Sequence, residues 1–400
     1  MSTAVSAAPS RPSATPRRIL DIDALRSFAL FGILVVNIGY FASGYTFHQV
    51  HDPAFASVAD TAAHRAVTVF FEMKFSLLFS FLFGYSLTLQ IDSARRTGVD
   101  FRPRFLRRLA ALLAIGALHA VLLFQGDILT TYALLGLLLL AVHRIRPRTA
   151  LITAGVITAL MALQFLAMAA TGAAEVDTGA ALAAGERTTA ALAGGPLDVV
   201  AEHVRSLPHM AVALVGMQGP AAFAAFLAGL AAGERRLLAD PAAHDRALRL
   251  TQWVGYPVGL AGSLVLAALG GTADPAGVAA AVVTAPFLTA AYAATLLRFF
   301  RTGPGARTAA ALAPAGRMAL TNYLAQSLVC VLLFTGAGLG LIGQVSPALV
   351  LLVAVGIFLL QLGASAWWMS GHAYGPVEWA LRAATRLEVP RWRTGGAHRR

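Results

Sequence analysis

Charge is scarce in this chain. Asp, Glu, Lys and Arg make up 12% of its 400 residues, against ~25% in an ordinary soluble domain. Lysine is nearly absent: Lys74 is the only one, so the basic excess is arginine. The single cysteine, Cys330, lies inside an apolar run, which excludes an intrachain disulfide and a cysteine metal cluster. Ten histidines are scattered, with no ligand-spaced pair on one predicted helix, so no metal site is expected. No GxSxG elbow and no glycine-rich phosphate loop occurs; the glycines are dispersed through apolar segments as small packing residues. No permanently bound cofactor is expected.

What remains is apolar. Hydrophobic residues make up 58% of the chain, and several runs reach the ~20 residues needed to cross a bilayer. The expected fold class is all-α, a polytopic transmembrane helix bundle of about ten spans. They lie near 25–45, 66–90, 106–124, 127–143, 149–171, 208–232, 250–270, 277–300, 316–337 and 347–369. Residues 1–18, rich in Ala, Ser, Pro and Arg, read as a disordered tail. Residues 19–390 read as one transmembrane domain, with a mobile outer loop at about 172–206, and 391–400 as a basic C-terminal tail.

The cations follow this division. With the N-terminus inside, 27 of the 31 basic residues fall at the inner ends and loops, and only Arg65, Lys74, Arg187 and Arg205 fall outside. That asymmetry predicts both termini in the cytoplasm. Arginines facing an anionic inner leaflet also account for the net charge of +12, so no nucleic-acid partner is expected. The partner this chain requires is the lipid bilayer; oligomeric state is not readable.

Polar groups at membrane depth are costly and mark candidate sites. "RSFALFGILVVN" (Arg26 to Asn37) and "RLAALLAIGALH" (Arg108 to His119) each run from arginine through ten mostly apolar residues to a polar one. Eleven helical residues return almost to the same face ~16 Å further along the axis. In the first, a snorkelling arginine and an asparagine bonded to a neighbouring helix are the plainer alternative. "FFEMKFSLLFSFLFGYS" places Glu72, Ser76, Ser80 and Gly84 four apart on one stripe, with Lys74 opposite and free to snorkel. Glu72 reads as a proton carrier, an orienter of an outer histidine, or half of an ion pair. His119 reads as a general base or a packing residue, and Asp127 as its orienter or as the cap of the next helix. "GRMALTNYLAQS" is the densest polar patch: Arg317 with Thr321, Asn322 with Gln326, and Tyr323 with Ser327 are i,i+4 pairs. It reads as a substrate surface, with Arg317 on an anionic group, or as interhelical glue. In the tail, Glu378 and Arg382 are i,i+4 partners, and Trp367, Trp368 and Trp379 suggest an interfacial anchor.

"LDIDALRSFALFGILVVNI", "FFEMKFSLLFSFLFG", "GDILTTYALLG", "GRMALTNYLAQS" and "YGPVEWALR" together resemble the bacterial integral membrane family typified by YeiB, whose function is unknown. The resemblance covers about residues 18–390. That family is in turn similar to transmembrane acyltransferases, including heparan-alpha-glucosaminide N-acetyltransferase and the O-acyltransferases of bacterial surface polysaccharides. In the latter, the first span carries an arginine, ten residues and a histidine; this chain has Arg26 and then Asn37. Asparagine cannot act as a general base. The heparan enzyme also has asparagine there, followed by an essential outer-loop histidine at the spacing of His48. The resemblance therefore implies His48 as a functional histidine, with His51 its near alternative.

Two classes of function fit. The first is an acyltransferase of the bacterial inner membrane. It would take an acyl group from cytoplasmic acyl-CoA, as co-substrate, to a hydroxyl or amine acceptor in the membrane or cell envelope. Arg26, Arg108 and Arg317 would hold phosphates, His48 or His119 would act as base or acyl carrier, and Glu72 or Asp127 would orient it. The second is a small-molecule transporter or exporter, with Glu72 as the proton-coupling carboxylate and Ser76, Ser80, Asn322 and Gln326 along the path.

Overall fold

The computed structural model of the protein describes residues 17–172, 177–239 and 241–393. Residues 1–16 of the expected disordered tail, Glu175 of the outer loop, and residues 394–400 of the basic tail lie outside the described residues.

Apolar segments in a bilayer must satisfy every backbone polar group internally, which selects helices. Among the described residues there are fifteen α-helices and no β-strand. α1 (Arg17–Ala42) leads through a 3₁₀ turn (Gly44–His48) to α2 (Val58–Phe70), α3 (Lys74–Thr97), α4 (Phe101–Leu122), α5 (Leu129–Ala141) and α6 (Pro147–Thr171). Then come α7 (Thr178–Ala193), α8 (Pro196–Ala213), α9 (Gly219–Glu234), α10 (Asp245–Ala268) and α11 (Pro275–Phe299). α12 (Gly303–Arg317), α13 (Ala319–Phe334), α14 (Pro347–Gly371) and α15 (Pro376–Arg386) complete the chain. Prolines open α6, α8, α11, α14 and α15, where the missing N–H costs nothing.

The chain is a multi-pass helical membrane bundle, and each of the ten expected spans falls on a helix or helix pair. Fewer meet the requirement alone: seven segments are long and apolar enough to cross, or eight if the bent pair α12–α13 is one span. α5 is apolar but has 13 residues, ~20 Å of helix against ~30 Å of hydrocarbon. α10 has 24 residues but carries Thr251, Gln252 and Tyr256 in its first half, two of them bonded to Thr295 of α11.

α1 is the central helix, with Ile22, Leu25, Leu30, Leu34 and Ile38 at 2% exposure or less. It lies against α3, α12, α13 and α14. A Cβ at Gly316 would sit 1.7 Å from the carbonyl oxygen of Asp23, so only glycine lets α12 approach α1 so closely. α3 and α9 cross in the same way, with Gly84 against the Phe226 carbonyl and Gly229 against that of Phe81.

Two breaks shape the bundle. The chain leaves helical geometry between α2 and α3, where Met73 takes a left-handed φ of 67°. This corrects the single polar stripe expected across Glu72, Ser76 and Ser80: Glu72 belongs to the break and the serines to the next helix. Lys74 does not snorkel. It is 1% exposed, and its ammonium donates to the Thr68 carbonyl at 2.8 Å across the break. The second break, at Met318, bends α12 from α13 by 76°.

Most of the stretch expected as an outer loop is helical, as α7 and the first part of α8. Alanine is the best helix former, and the Asp177 carboxylate caps α7 by accepting the Ala180 N–H. Ala181, Gly185, Thr188 and Leu192 form a buried stripe at helical spacing. Thr188 bonds His48, and the Leu192 carbonyl accepts the Gly336 N–H at 2.9 Å.

Candidate functional site

α4 ends in the turn 123–128, and the first site is built around that turn. The Asp127 Oδ2 accepts the N–H of Thr130 at 2.7 Å, which fixes the carboxylate at the head of α5. Gly116 faces it from α4; a Cβ there would lie 2.6 Å from the Thr130 nitrogen and 2.8 Å from the Asp127 Oδ2. One turn further along α4, the His119 Nδ1 stands 2.8 Å from Asp127 Oδ1. The His119 Nε2 stands 2.9 Å from the Ser327 Oγ of α13. His119 and Asp127 are 2% exposed and Ser327 is 4% exposed. An aspartate, an imidazole and a hydroxyl are thus in line and out of water. The Tyr323 ring, one turn before Ser327 on α13, lies against the imidazole with centroids 5.0 Å apart and the planes tilted by 44°.

Tyr323 is also the end of a cavity of about 530 Å³ that opens at the arginine-rich end of the bundle. Its mouth is ringed by Arg104, Arg317, Arg382 and Arg386, with Arg26 and Arg108 further in. Beyond them the wall is apolar, with Leu30, Ile33, Phe79, Phe83, Leu112 and Ile128, up to Tyr132 and Tyr323. α1, α3, α4, α5, α12, α13 and α15 all contribute.

The carboxylates near this cavity are occupied. Asp23 accepts from Arg26 at 2.7 Å, and the same guanidinium donates to Ser86 at 2.6 Å. Glu378 does not pair with Arg382. It reaches across to the second break and accepts the N–H groups of Leu320 and Thr321 and the Thr321 hydroxyl, at 2.7, 3.0 and 2.5 Å. It thereby caps α13. Arg382 instead lies over the Tyr374 ring at 4.2 Å. Arg108 forms no ion pair or hydrogen bond among the described residues, and its Nε is buried. The expected interfacial anchor α15 is a wall of the cavity, and its arginines add to an uncompensated positive field.

The sequence candidates separate on this frame. Arg26, Arg108, Arg317 and Tyr323 line the cavity, with Arg317 exposed at its mouth and 3.4 Å from the Ala373 carbonyl. His119 and Asp127 meet directly behind its end. Asn322 and Gln326 point elsewhere: Asn322 bonds the Ala315 carbonyl and Ser365, and Gln326 bonds Gln361 of α14. They are interhelical glue. Asn37 is half-buried on α1 and makes no side-chain hydrogen bond among the described residues. His48 stands apart on the 3₁₀ turn, 3.0 Å from Thr188. Burial, and then the charge of His209, hold its imidazole below its ordinary pKa. Glu72 is half-buried, with Oε2 unpartnered. Sequence reasoning missed Ser327 as a site residue and Arg104, Arg382 and Arg386 as a rim. Ser327 had one signal, its i,i+4 pairing with Tyr323.

The two arginine-to-polar stretches also acquire meaning. Arg26 and Arg108 face one cavity, and α4 carries Arg108 in its wall and His119 behind its end.

The family model described as "Protein of unknown function (DUF418)" matches residues 232–388. The chain is 33% identical over 396 residues to "Uncharacterized protein YxaH" of Bacillus subtilis, a match covering 94% of this chain and 96% of that one. It is 28% identical to "Uncharacterized 39.9 kDa protein in amylase 3'region" of Bacillus acidopullulyticus, over 94% of this chain and 95% of that protein. It is also 28% identical to "Uncharacterized protein YeiB" of Escherichia coli, over 92% and 96% of the two chains. No solved structure matches it. Identity of this level across nearly the whole of both chains shows that the protein belongs to the YeiB-like DUF418 family of membrane proteins.

Proposed function

We propose that this protein is an acyltransferase of the bacterial inner membrane, with both chain ends and the arginine-rich face in the cytoplasm. It draws an acyl-CoA donor into the basic cavity and passes the acyl group to a hydroxyl or amine acceptor at the membrane or cell envelope. The observation that carries this reading is the cavity itself: a cationic mouth, an unpaired Arg108, an apolar depth, and a His119–Asp127 pair behind its end. An anionic head with a long, mostly apolar extension matches that sequence of walls. The lengths agree as well. Arg108 and His119 are eleven residues apart on one helix, ~16 Å. The pantetheine arm of coenzyme A has about twelve bonds between diphosphate oxygen and sulfur, and at the reach of an extended chain spans ~14 Å. Arginines on the diphosphate thus leave the thioester near Tyr323.

Within this reading His119, not His48, is the base. A general base needs an orienting partner and reach to the reacting group; Asp127 supplies the first, and the second requires the Tyr323 ring, which lines the cavity and touches the imidazole, to turn aside. The transporter reading has less support, because the break at Met73 divides its polar stripe and Asn322 and Gln326 are spent between helices.

The test is thermal stability of the detergent-purified protein against acetyl-CoA, longer acyl-CoAs and free CoA. A ligand that binds only the folded form adds ~2.7 kcal/mol at a hundredfold excess over its dissociation constant. A saturable shift, reduced in Arg108→Met, is expected. No shift with any donor, in protein that is demonstrably folded, would sink the reading.

A further inference from the structure

We propose that Ser327 is the nucleophile of this protein and carries the acyl group as an ester between two half-reactions. The inference rests on the acyl-CoA reading above for its donor, and on the His119 geometry for its chemistry.

Both nitrogens of His119 are committed. A carboxylate accepts only, so Asp127 at 2.8 Å holds the proton on Nδ1. The lone pair of Nε2 then faces the Ser327 hydroxyl at 2.9 Å. The alternative acceptor for that hydroxyl, the Tyr323 carbonyl, is 3.4 Å away. The first proton this base can take is therefore the serine's, and an acceptor alcohol finds no vacant nitrogen while Ser327 is in place. Carboxylate, imidazole and hydroxyl in this order are the arrangement that activates a serine.

Packing alone does not require it. His203, a second buried histidine on the adjoining α8, is satisfied by the Val121 carbonyl at 3.1 Å. His119 has an ionisable partner on one side and a hydroxyl on the other, all in the low-dielectric interior where such groups are expensive. The burial also suits an ester intermediate, since water is kept from hydrolysing it. Tyr323 is the side chain that both ends the cavity and touches the imidazole. Its hydroxyl is buried, with no side-chain partner among the described residues and the Ile128 carbonyl beside it; once the ring turns aside, it exchanges that carbonyl for the donor's carbonyl oxygen.

The steps balance without a further reactant. Ser327 Oγ attacks the thioester carbonyl carbon as Nε2 takes the hydroxyl proton. The C–S bond breaks, and Nε2 returns the proton to the leaving sulfur, giving free CoA thiol and acyl-Ser327. The acceptor hydroxyl or amine then attacks the ester carbonyl and yields its proton to Nε2. The ester C–O bond breaks and the proton passes to Ser327 Oγ.

The experiment treats the full-length folded protein with two probes. One is a long-chain fluorophosphonate, which esterifies activated serines without any acyl-CoA. The other is radiolabelled acyl-CoA followed by acid quench. Modification is located by peptide mass spectrometry. The expected result is modification at Ser327, absent in Ser327→Ala and slowed at least ~100-fold in Asp127→Asn, while Ser327→Ala still shows the acyl-CoA thermal shift. Folded protein that shows the shift but is modified at Ser327 by neither probe would overturn the inference and leave the acyltransferase reading standing. A transfer rate unchanged in Ser327→Ala would overturn it as well. Fluorophosphonate modification of Ser327 without any acyl-CoA shift would uphold the nucleophile and remove the donor assignment.

Discussion

The His119 imidazole and the Asp127 carboxylate, eight positions apart along the chain, meet at 2.8 Å across the turn 123–128, with both side chains closed off from solvent. Asp127→Asn keeps an oxygen for the Thr130 N–H but can present an amide N–H to His119, which favours the wrong tautomer. Acyl transfer is expected to fall by ~10²–10⁴-fold with little change in thermal midpoint. Rate and melting measured on the same preparation check this; a normal rate would remove Asp127 from the chemistry.

Arg108 is a cation in a cavity wall without an ion pair or hydrogen bond among the described residues; the Glu378 carboxylate of the same wall is committed to α13. Truncating it removes a cost of the empty protein and a gain of the complex. Arg108→Met is expected to be at least as stable as wild type without ligand. Its acyl-CoA affinity is expected to be ~10–100-fold weaker, the worth of one or two charge-assisted hydrogen bonds. Calorimetric titration with and without the substitution reads both effects.

Gly116 holds the space that Asp127 and Thr130 fill. Gly116→Ala adds a methyl where the nearest atoms are 2.6–2.8 Å away, one of them backbone. A loss of ~1–3 kcal/mol is expected, and with it displacement of Asp127 and loss of activity beyond what the stability change explains. Gly155→Ala, where a Cβ meets nothing within 4 Å, is the neutral comparison.

Glu378 ties α15 to the start of α13 through three accepted hydrogen bonds. Glu378→Ala leaves two backbone N–H groups without their cap, an expected loss of ~1–3 kcal/mol. Because α15 walls the cavity, protease cleavage after Arg382 and Arg386 should accelerate. Unchanged cleavage and melting would show that α15 holds without this contact.

His48 makes the contact between the 3₁₀ turn and α7 sensitive to acid. Its pKa in the folded chain lies below the ordinary 6.5, chiefly through burial, with His209 and Arg187 acting in the same direction and Glu202 against them. Between the two values the unfolded chain binds a proton that the folded one refuses. This contribution to stability is therefore full above pH 6.5 and is lost as pH falls toward the lower value. Melting from about pH 7.5 to about pH 5 should show a decline, shallower in His48→Gln, which can still bond Thr188.

The helical, multi-pass character and the position of most membrane helices were legible in the sequence, because each depends on local composition; the number of spans was not, since α5 is too short and α10 too polar to meet the requirement alone. Arg26, Arg108, Asp127 and His119 were visible for the same reason: charge inside an apolar run needs no tertiary structure to be noticed. Helices α7 and α8 were not legible. An alanine-glycine stretch has low hydrophobic contrast, and its buried face is defined only by the 3₁₀ turn and loops it meets. The break at Met73 was hidden too, since no proline or glycine marks it and Glu72 and Ser76 share a helical spacing across it. Asn322, Tyr323 and Gln326 could not be told apart, because polar residues on a helix read alike until the neighbours on each side are known.

The amino-acid sequence by itself determined a helical membrane protein with its cations clustered between alternate apolar runs and a few polar groups inside them, since transfer of apolar and charged groups between water and lipid is a property of each residue. Only the tertiary structure decided which groups meet. Ser327 lies 208 positions from His119, and a hydrogen bond needs its atoms within ~3 Å. Contact between α4 and α13 therefore turns a hydroxyl that looks like packing into a candidate nucleophile.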